Sequence, residues 1–219
     1  MIVYSYFRSS AAYRVRIALA LKGLTPEFRF VHLAKGGGQQ HSPEYRAVNP
    51  QGRVPFLIDS LADGGEVKIG QSLAIIEYLD ETQPQPPLLP RDAAGRARVR
   101  QIALAITADI QPLQNLSVTQ RLEGQFGADQ AQRDAWVRHW IETGLGALET
   151  ALARDAATGR FCHGDQHTMA DCCLVPQMFA ARRFGADLAR FPTLARIDAT
   201  CTALAAFAAA APAAQPDAE

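Results

Sequence analysis

Four of the nine residues in Thr82-Gln83-Pro84-Gln85-Pro86-Pro87-Leu88-Leu89-Pro90 are prolines. Proline lacks the backbone N–H and crowds the preceding turn, so neither a helix nor a central strand continues through this stretch. On its N-terminal side, strand-like and helix-like patterns alternate; on its C-terminal side, alanine, leucine, arginine and glutamine dominate and no strand pattern recurs. A chain of 219 residues is long enough for two modest cores. The expectation is an α/β domain over residues 1–82, a proline-rich linker over 83–90 and an all-helical domain over 91–219.

The first domain opens on Ile2-Val3-Tyr4-Ser5-Tyr6-Phe7, a short β-prone run that leads into the helical pattern Arg8 to Gly23. Ser9 and Ser10 stand where strand gives way to helix, and that junction offers unpaired N–H groups and the positive end of the helix dipole to an anion. Lys22 falls in the last helical turn and Gly23 at the position that favours a left-handed stop. Residues 27–33 alternate as a second strand, and three consecutive glycines, Gly36 to Gly38, predict an irregular loop carrying Gln39 and Gln40. Ser42-Pro43 reads as an N-cap with proline in the first helical position, opening a short helix that ends near Asn49-Pro50. Val54 to Asp59 and Glu66 to Ile69 read as a hairpin around Ala62-Asp63-Gly64-Gly65, and Gln71-Ser72 then opens another helix directly after a strand. The order β-α-β-α-β-β-α predicts a mixed sheet with helices on both faces.

Beyond the linker, helices are predicted over about 93–122, 130–153, 168–184 and 192–209. Thr168-Met169-Ala170-Asp171 is a capping box with aspartate in place of glutamate. The last residues, 211–219, read as a frayed tail. Trp136 and Trp140 share a helix face, as do Gln111 and Asn115 on an uninterrupted helix.

Equal numbers of acids and bases and no basic run argue against a nucleic-acid partner. No apolar stretch approaches the length of a membrane span, and the N-terminus lacks the order of a signal peptide. Cys162, Cys172, Cys173 and Cys201 show neither metal-ligand nor CxxC spacing and read as buried thiols of a cytoplasmic protein. No metal is expected. Taken by themselves, Ser9 and Ser10 are helix caps before they are catalytic groups, and Gln40 reads as an exposed amide.

The local wording adds to this. Tyr4-Ser5-Tyr6-Phe7-Arg8-Ser9-Ser10, Arg14-Val15-Arg16-Ile17-Ala18-Leu19-Ala20-Leu21-Lys22-Gly23, Gln71-Ser72-Leu73-Ala74-Ile75-Ile76-Glu77-Tyr78-Leu79, Ile110-Gln111-Pro112-Leu113-Gln114-Asn115-Leu116-Ser117 and Leu174-Val175-Pro176-Gln177 resemble the zeta class of the cytosolic glutathione transferases. The resemblance spans residues 1 to about 217. It implies a thioredoxin-like N-terminal domain followed by the all-helical C-terminal domain of that family, with glutathione as cofactor. It also implies a homodimer.

By the same resemblance the glutathione site comprises Ser9, Ser10, Gln40, Val54, Gln71 and Ser72, with Gln111 and Asn115 from the helical domain. Ser9 is nearest the sulfur, where a hydroxyl donor and a helix N-terminus both favour thiolate. Val54, if Pro55 is cis, presents its backbone to a peptide ligand as an added strand. The implied reaction is glutathione-dependent cis–trans isomerisation of maleylacetoacetate to fumarylacetoacetate, in tyrosine and other aromatic catabolism, by reversible thiolate addition to the activated double bond. Ser9, Ser10 and Arg8 are the catalytic candidates, and Arg8 and Arg183 are the candidates for holding the carboxylates of the dicarboxylic keto acid. Maleylpyruvate isomerisation, transfer of glutathione to small α-haloacids and a noncatalytic scaffold are the competing readings. One departure stands out: where the class reads Ser-Ser-Cys-Ser-Trp, this chain reads Ser9-Ser10-Ala11-Ala12-Tyr13.

Overall fold

Ile2–Ser5 forms strand β1 and Ser10–Leu21 forms helix α1, whose start is fixed by Ser9 accepting the Ala12 N–H at 3.2 Å. Lys22 ends the helix and Gly23 turns the chain with φ of 65°, the left-handed geometry that costs glycine nothing. Strand β2 is Glu27–Phe30, α2 is Pro43–Val48, β3 is Phe56–Ser60, β4 is Glu66–Gly70 and α3 is Ser72–Thr82. The strands form one four-stranded sheet in the order β2-β1-β3-β4, with β1 parallel to β2 and antiparallel to β3. This is the expected thioredoxin-like order.

Alternation along the strands divides the core. Tyr4 and Phe56 are cross-strand partners and pack with Tyr6, Phe7, Val31, Tyr45 and Val54 on the face that α2 covers; the Tyr4 and Tyr45 rings lie 5.5 Å apart. The partners Val3 and Leu57 point to the opposite face by the two-residue period. There α1 and α3 pack on each other, and α3 touches β3 and β4.

The computed structural model describes residues 1–219 and resolves two units, Met1–Leu88 with Leu204–Glu219, and Leu89–Ala203. The tail is therefore not frayed. Helix α9, Ala205–Ala210, packs on α1, Phe207 is fully buried, and the Asp217 carboxylate accepts the Phe7 N–H at 2.9 Å. Sequence pattern assigns these residues to the helical region; their contacts are with the α/β unit. Alanine repetition conceals this, because it carries no polarity signal to show which residues face a partner.

The second unit holds α4 (Ala93–Leu104), a π-helical turn (Ala105–Ile110), α5 (Leu116–Phe126), α6 (Gln130–Arg154), α7 (Met169–Arg183) and α8 (Pro192–Thr202). One continuous helix from 93 to 122 is thus replaced by three pieces. Pro112 follows the π turn, and Asn115 restarts the helix by accepting the Ser117 N–H at 3.0 Å. Gly144 of α6 lies so close to Ile110 that a Cβ there would collide with the isoleucine side chain. The Thr168 box is present: Asp171, fully buried, accepts the Thr168 N–H at 2.7 Å, its hydroxyl at 3.0 Å and the Cys162 N–H at 2.8 Å. All four cysteines are buried and form no disulfide, and burial pushes the Cys162, Cys172 and Cys201 thiols up.

Candidate active site

Sheet register brings four chain segments to one end. Tyr4 of β1 pairs with Phe56 of β3, and Phe56 pairs with Gly70 of β4. Since β3 runs against both neighbours, the exit of β1 toward Arg8 and Ser9, the entry to β3 from Val54 and the exit of β4 into Gln71 and Ser72 all lie at the same end. Strand β2 is parallel to β1, with Phe30 opposite Ser5, so the chain leading to the glycine loop leaves there too. Ligands of open α/β sheets bind outside such strand ends.

Ser9 is half-buried. Its oxygen accepts the Ala12 N–H, which leaves the hydroxyl proton free to be donated outward. Ser10 is the first residue of α1. Arg8 is exposed and donates from Nε and Nη2 to the Tyr6 hydroxyl at 3.2 and 2.9 Å, with its guanidinium 5.1 Å from the Phe7 ring centre. Those contacts hold the arginine beside the serines and leave Nη1 to an incoming anion.

Gln40 is 6% exposed and so corrects the reading of it as an exposed amide. Its Nε2 donates to the Leu33 carbonyl at 3.2 Å, while Oε1 is buried without a partner. The physical reason is the glycine loop: Gly38 has φ of 95°, and a Cβ there would strike the Gln40 amide. The loop closes over this side chain. A buried carbonyl-type oxygen without a donor is costly, so it points to a ligand N–H.

The Val54–Pro55 peptide is cis, as the added-strand reading requires, and no group of the chain hydrogen-bonds to the Val54 backbone. Gln71 is the only non-glycine residue with positive φ, at 66° with ψ of 117°. Such backbone costs roughly 1–3 kcal/mol and persists where the surroundings over-determine it. Gln71 is also the N-cap of α3 yet provides no side-chain cap, which leaves the first N–H groups of that helix available to an anion. Ser72 is buried, and its oxygen accepts from Arg14 Nη1 at 3.1 Å.

The remaining candidates belong to the second unit. Gln111 ends the π turn and Asn115 caps α5, so the expected shared helix face does not exist; Pro112 separates them. Asn115 Oδ1 accepts from both the N–H and the hydroxyl of Ser117. Arg183 is exposed at the end of α7, its guanidinium 5.1 Å from the Phe184 ring centre, and Arg182 is paired with Asp198. Trp136 and Trp140 meet edge to face at 5.7 Å, and Trp136 donates to the Leu113 carbonyl at 2.8 Å.

Sequence reasoning missed the buried arginines. Arg14 and Arg16 are 2% and 3% exposed, and burial brings Arg16 down to about 10, which leaves it charged at neutral pH. A signal was available: α1 is apolar on every side around them, and charged residues inside such a helix must find buried partners.

Comparison with known proteins completes the picture. Residues 3–87 match the family model of the glutathione S-transferase N-terminal domain. The chain is 49% identical over 218 residues to a probable maleylacetoacetate isomerase of Vibrio cholerae, covering 100% of this chain and 98% of that protein. Among solved structures it superposes with a TM-score of 0.94, at 46% identity and with 100% of both chains covered, on the holo structure of a maleylpyruvate isomerase described as a bacterial glutathione S-transferase in the zeta class. A maleylacetoacetate isomerase of Anaeromyxobacter dehalogenans, solved with glutathione in its active site, gives a TM-score of 0.89 at 48% identity, with 100% of this chain and 97% of that one covered. Relatives at this identity and coverage show that the chain belongs to the zeta class of the glutathione transferases.

Proposed function

We propose that the chain is a glutathione-dependent cis–trans isomerase that converts maleylacetoacetate to fumarylacetoacetate. The observation that carries this reading is the convergence of Ser9, Val54, Gln71 and Ser72 at one sheet end, each with a group left over for a ligand. Those groups fit glutathione. The uncapped start of α3 suits the γ-glutamyl carboxylate, the Val54 N–H and C=O suit its peptide, the orphaned Gln40 oxygen suits an N–H, and the Ser9 hydroxyl suits its sulfur. When bound, glutathione supplies a thiolate that adds reversibly to the activated double bond, so that rotation becomes possible and the cofactor is returned.

Ser9 would donate a hydrogen bond to that sulfur while its own oxygen stays fixed by the Ala12 N–H; donor and helix N-terminus together favour the charged form. Ser10 adds its N–H at the first turn of α1. Arg8, steadied by Tyr6, offers Nη1 to a substrate carboxylate and to negative charge that grows in the transition state. Arg183 is the candidate for the second carboxylate, and Gln111 and Asn115 are candidates for glutathione contacts. Alanine substitution of each, read as glutathione affinity and substrate KM separately, checks these roles. Ala11, in place of the class cysteine, removes a thiol from the site without touching the attacking sulfur, which belongs to glutathione.

Maleylpyruvate is the second reading, favoured by the likeness to a maleylpyruvate isomerase at a TM-score of 0.94. No helix is long and apolar enough to cross a membrane; a cytoplasmic location is our inference from four buried thiols, which suit a reducing compartment. A homodimer belongs to the proposal and is checked by sedimentation velocity. The function itself is tested by incubating the purified protein with each substrate, with and without glutathione. The trans product should form only with glutathione. A stable conjugate without trans product would instead establish a transferase, and the larger kcat/KM identifies the preferred substrate.

A further inference from the structure

The turn that carries Arg8 and Ser9 is held by residues from the far end of the chain. Asp217 Oδ2 accepts the Phe7 N–H at 2.9 Å across a sequence separation of 210. Arg16 takes the other side of the same turn: Nη2 donates to the Phe7 carbonyl at 2.9 Å, and Nη1 donates to the Tyr6 carbonyl at 3.2 Å and to the Ser5 hydroxyl at 3.3 Å. The Tyr6 carbonyl also accepts the Ser9 N–H at 3.0 Å. Arg16 Nε then reaches the tail itself, donating to the Ala210 carbonyl at 3.0 Å. Both polar groups of the Phe7 residue are thus spoken for by charged side chains.

The tail is anchored well enough to impose this geometry. Phe207, Ala210 and Pro212 are buried, and α9 lies on α1. At its end, Glu219 pairs with Lys35 and lies 3.2 Å from His32 Nε2. His32 Nδ1 accepts the N–H groups of Ala34 and Lys35 at 3.1 and 2.8 Å, at the start of the loop that closes over Gln40. One segment therefore touches two of the segments that leave the sheet at the candidate site.

We infer that the C-terminal segment is a strap that sets the β1–α1 turn, with Asp217 and Arg16 as positioning residues for Ser9. This rests on the proposed function for its consequence, namely that a correctly placed Ser9 hydroxyl lowers the thiol pKa of bound glutathione. It makes no such demand for its structural part, which is present in the free protein. A hydroxyl displaced by about 1 Å loses much of its effect, since misplacement of that size costs up to about a hundredfold in rate.

The test uses the full-length chain as wild type, Asp217→Ala and Asp217→Asn. Amide hydrogen exchange of Phe7 and Ser9 is read in the free protein, the thiol pKa of bound glutathione from the pH dependence of thiolate absorbance, and global stability from thermal unfolding. Asp217→Ala should speed exchange at Phe7 and Ser9 by about tenfold or more, the range expected when a local opening loses a stabilising contact, and should raise the bound thiol's pKa. Asp217→Asn, whose amide oxygen still accepts the Phe7 N–H, should restore both toward wild type while Asp217→Ala does not. Unchanged exchange at Phe7 and Ser9 in Asp217→Ala would overturn the strap. Faster exchange with an unchanged thiol pKa, or a loss tracking thermal stability alone, would overturn its link to Ser9. Because exchange is measured without glutathione, a failure of the cofactor reading is recognised separately.

Discussion

In the proposed mechanism Ser9 performs two tasks with one oxygen, capping α1 and donating to sulfur, and they separate by substitution. As an N-cap it is worth about 1 kcal/mol to the helix. As a donor to sulfur in the site it belongs to the class of fixed hydrogen bonds whose removal costs about a hundredfold or more in turnover. Ser9→Ala should therefore lose about a hundredfold in kcat and raise the thiol pKa of bound glutathione, with only a small drop in the urea midpoint; undiminished turnover would take Ser9 out of the mechanism. Gln71 behaves in the opposite sense. Its φ of 66° suits glycine, so Gln71→Gly should raise stability by about 1 kcal/mol while weakening glutathione binding, measured by calorimetry. Equal stability of both forms would show that the backbone there carries no strain. Ser9 and Ser10 were marked as candidates by the strand-to-helix junction, whereas Val54 and Gln71 entered through the resemblance. The buried state of Gln40 was not legible, since it depends on Gly38 closing over it in space.

Elements were legible where their ends carry chemistry. Proline at the start of α2, Gly23 after α1 and the Thr168–Asp171 box all placed boundaries that the structure keeps. The π turn at Ala105–Ile110 was hidden because its composition is ordinary helix; at its end Ile110 packs against Gly144 of α6. Gly144→Ala should destabilise the fold by about 1–3 kcal/mol through overpacking, read from chemical denaturation; no change would mean that Ile110 yields freely. Asp171 accepts two N–H groups, the Thr168 hydroxyl and, at 3.9 Å, the Cys201 thiol, while burial pushes its carboxyl up. Its raised value means that its contribution is fully present below the ordinary carboxylate range and declines as pH rises through the folded value. Asp171→Ala strands buried donors and should cost about 3 kcal/mol or more, visible as a lowered denaturation midpoint with the isomerase chemistry intact in whatever fraction is folded.

At the scale of the molecule, one sheet end gathers segments that are remote in sequence, and the tail contributes to that end from the opposite terminus. Substrate choice belongs to this scale as well, because the proposed glutathione groups Ser9, Gln40, Val54, Gln71 and Ser72 lie in the α/β unit whereas keto-acid length is a matter of pocket shape. The proline break at Thr82–Pro90 told where the pattern changes, but the return of 204–219 to the first unit had no marker in a segment of alanine and proline. The central claim is that glutathione acts as a returned cofactor on a cis dicarboxylic keto acid. It is tested most directly by following the trans product from maleylacetoacetate with glutathione held below the enzyme's substrate in amount. Many equivalents of trans product per glutathione are expected, with the thiol recovered in full. Product without glutathione, or consumption of one thiol for each substrate, would contradict that claim.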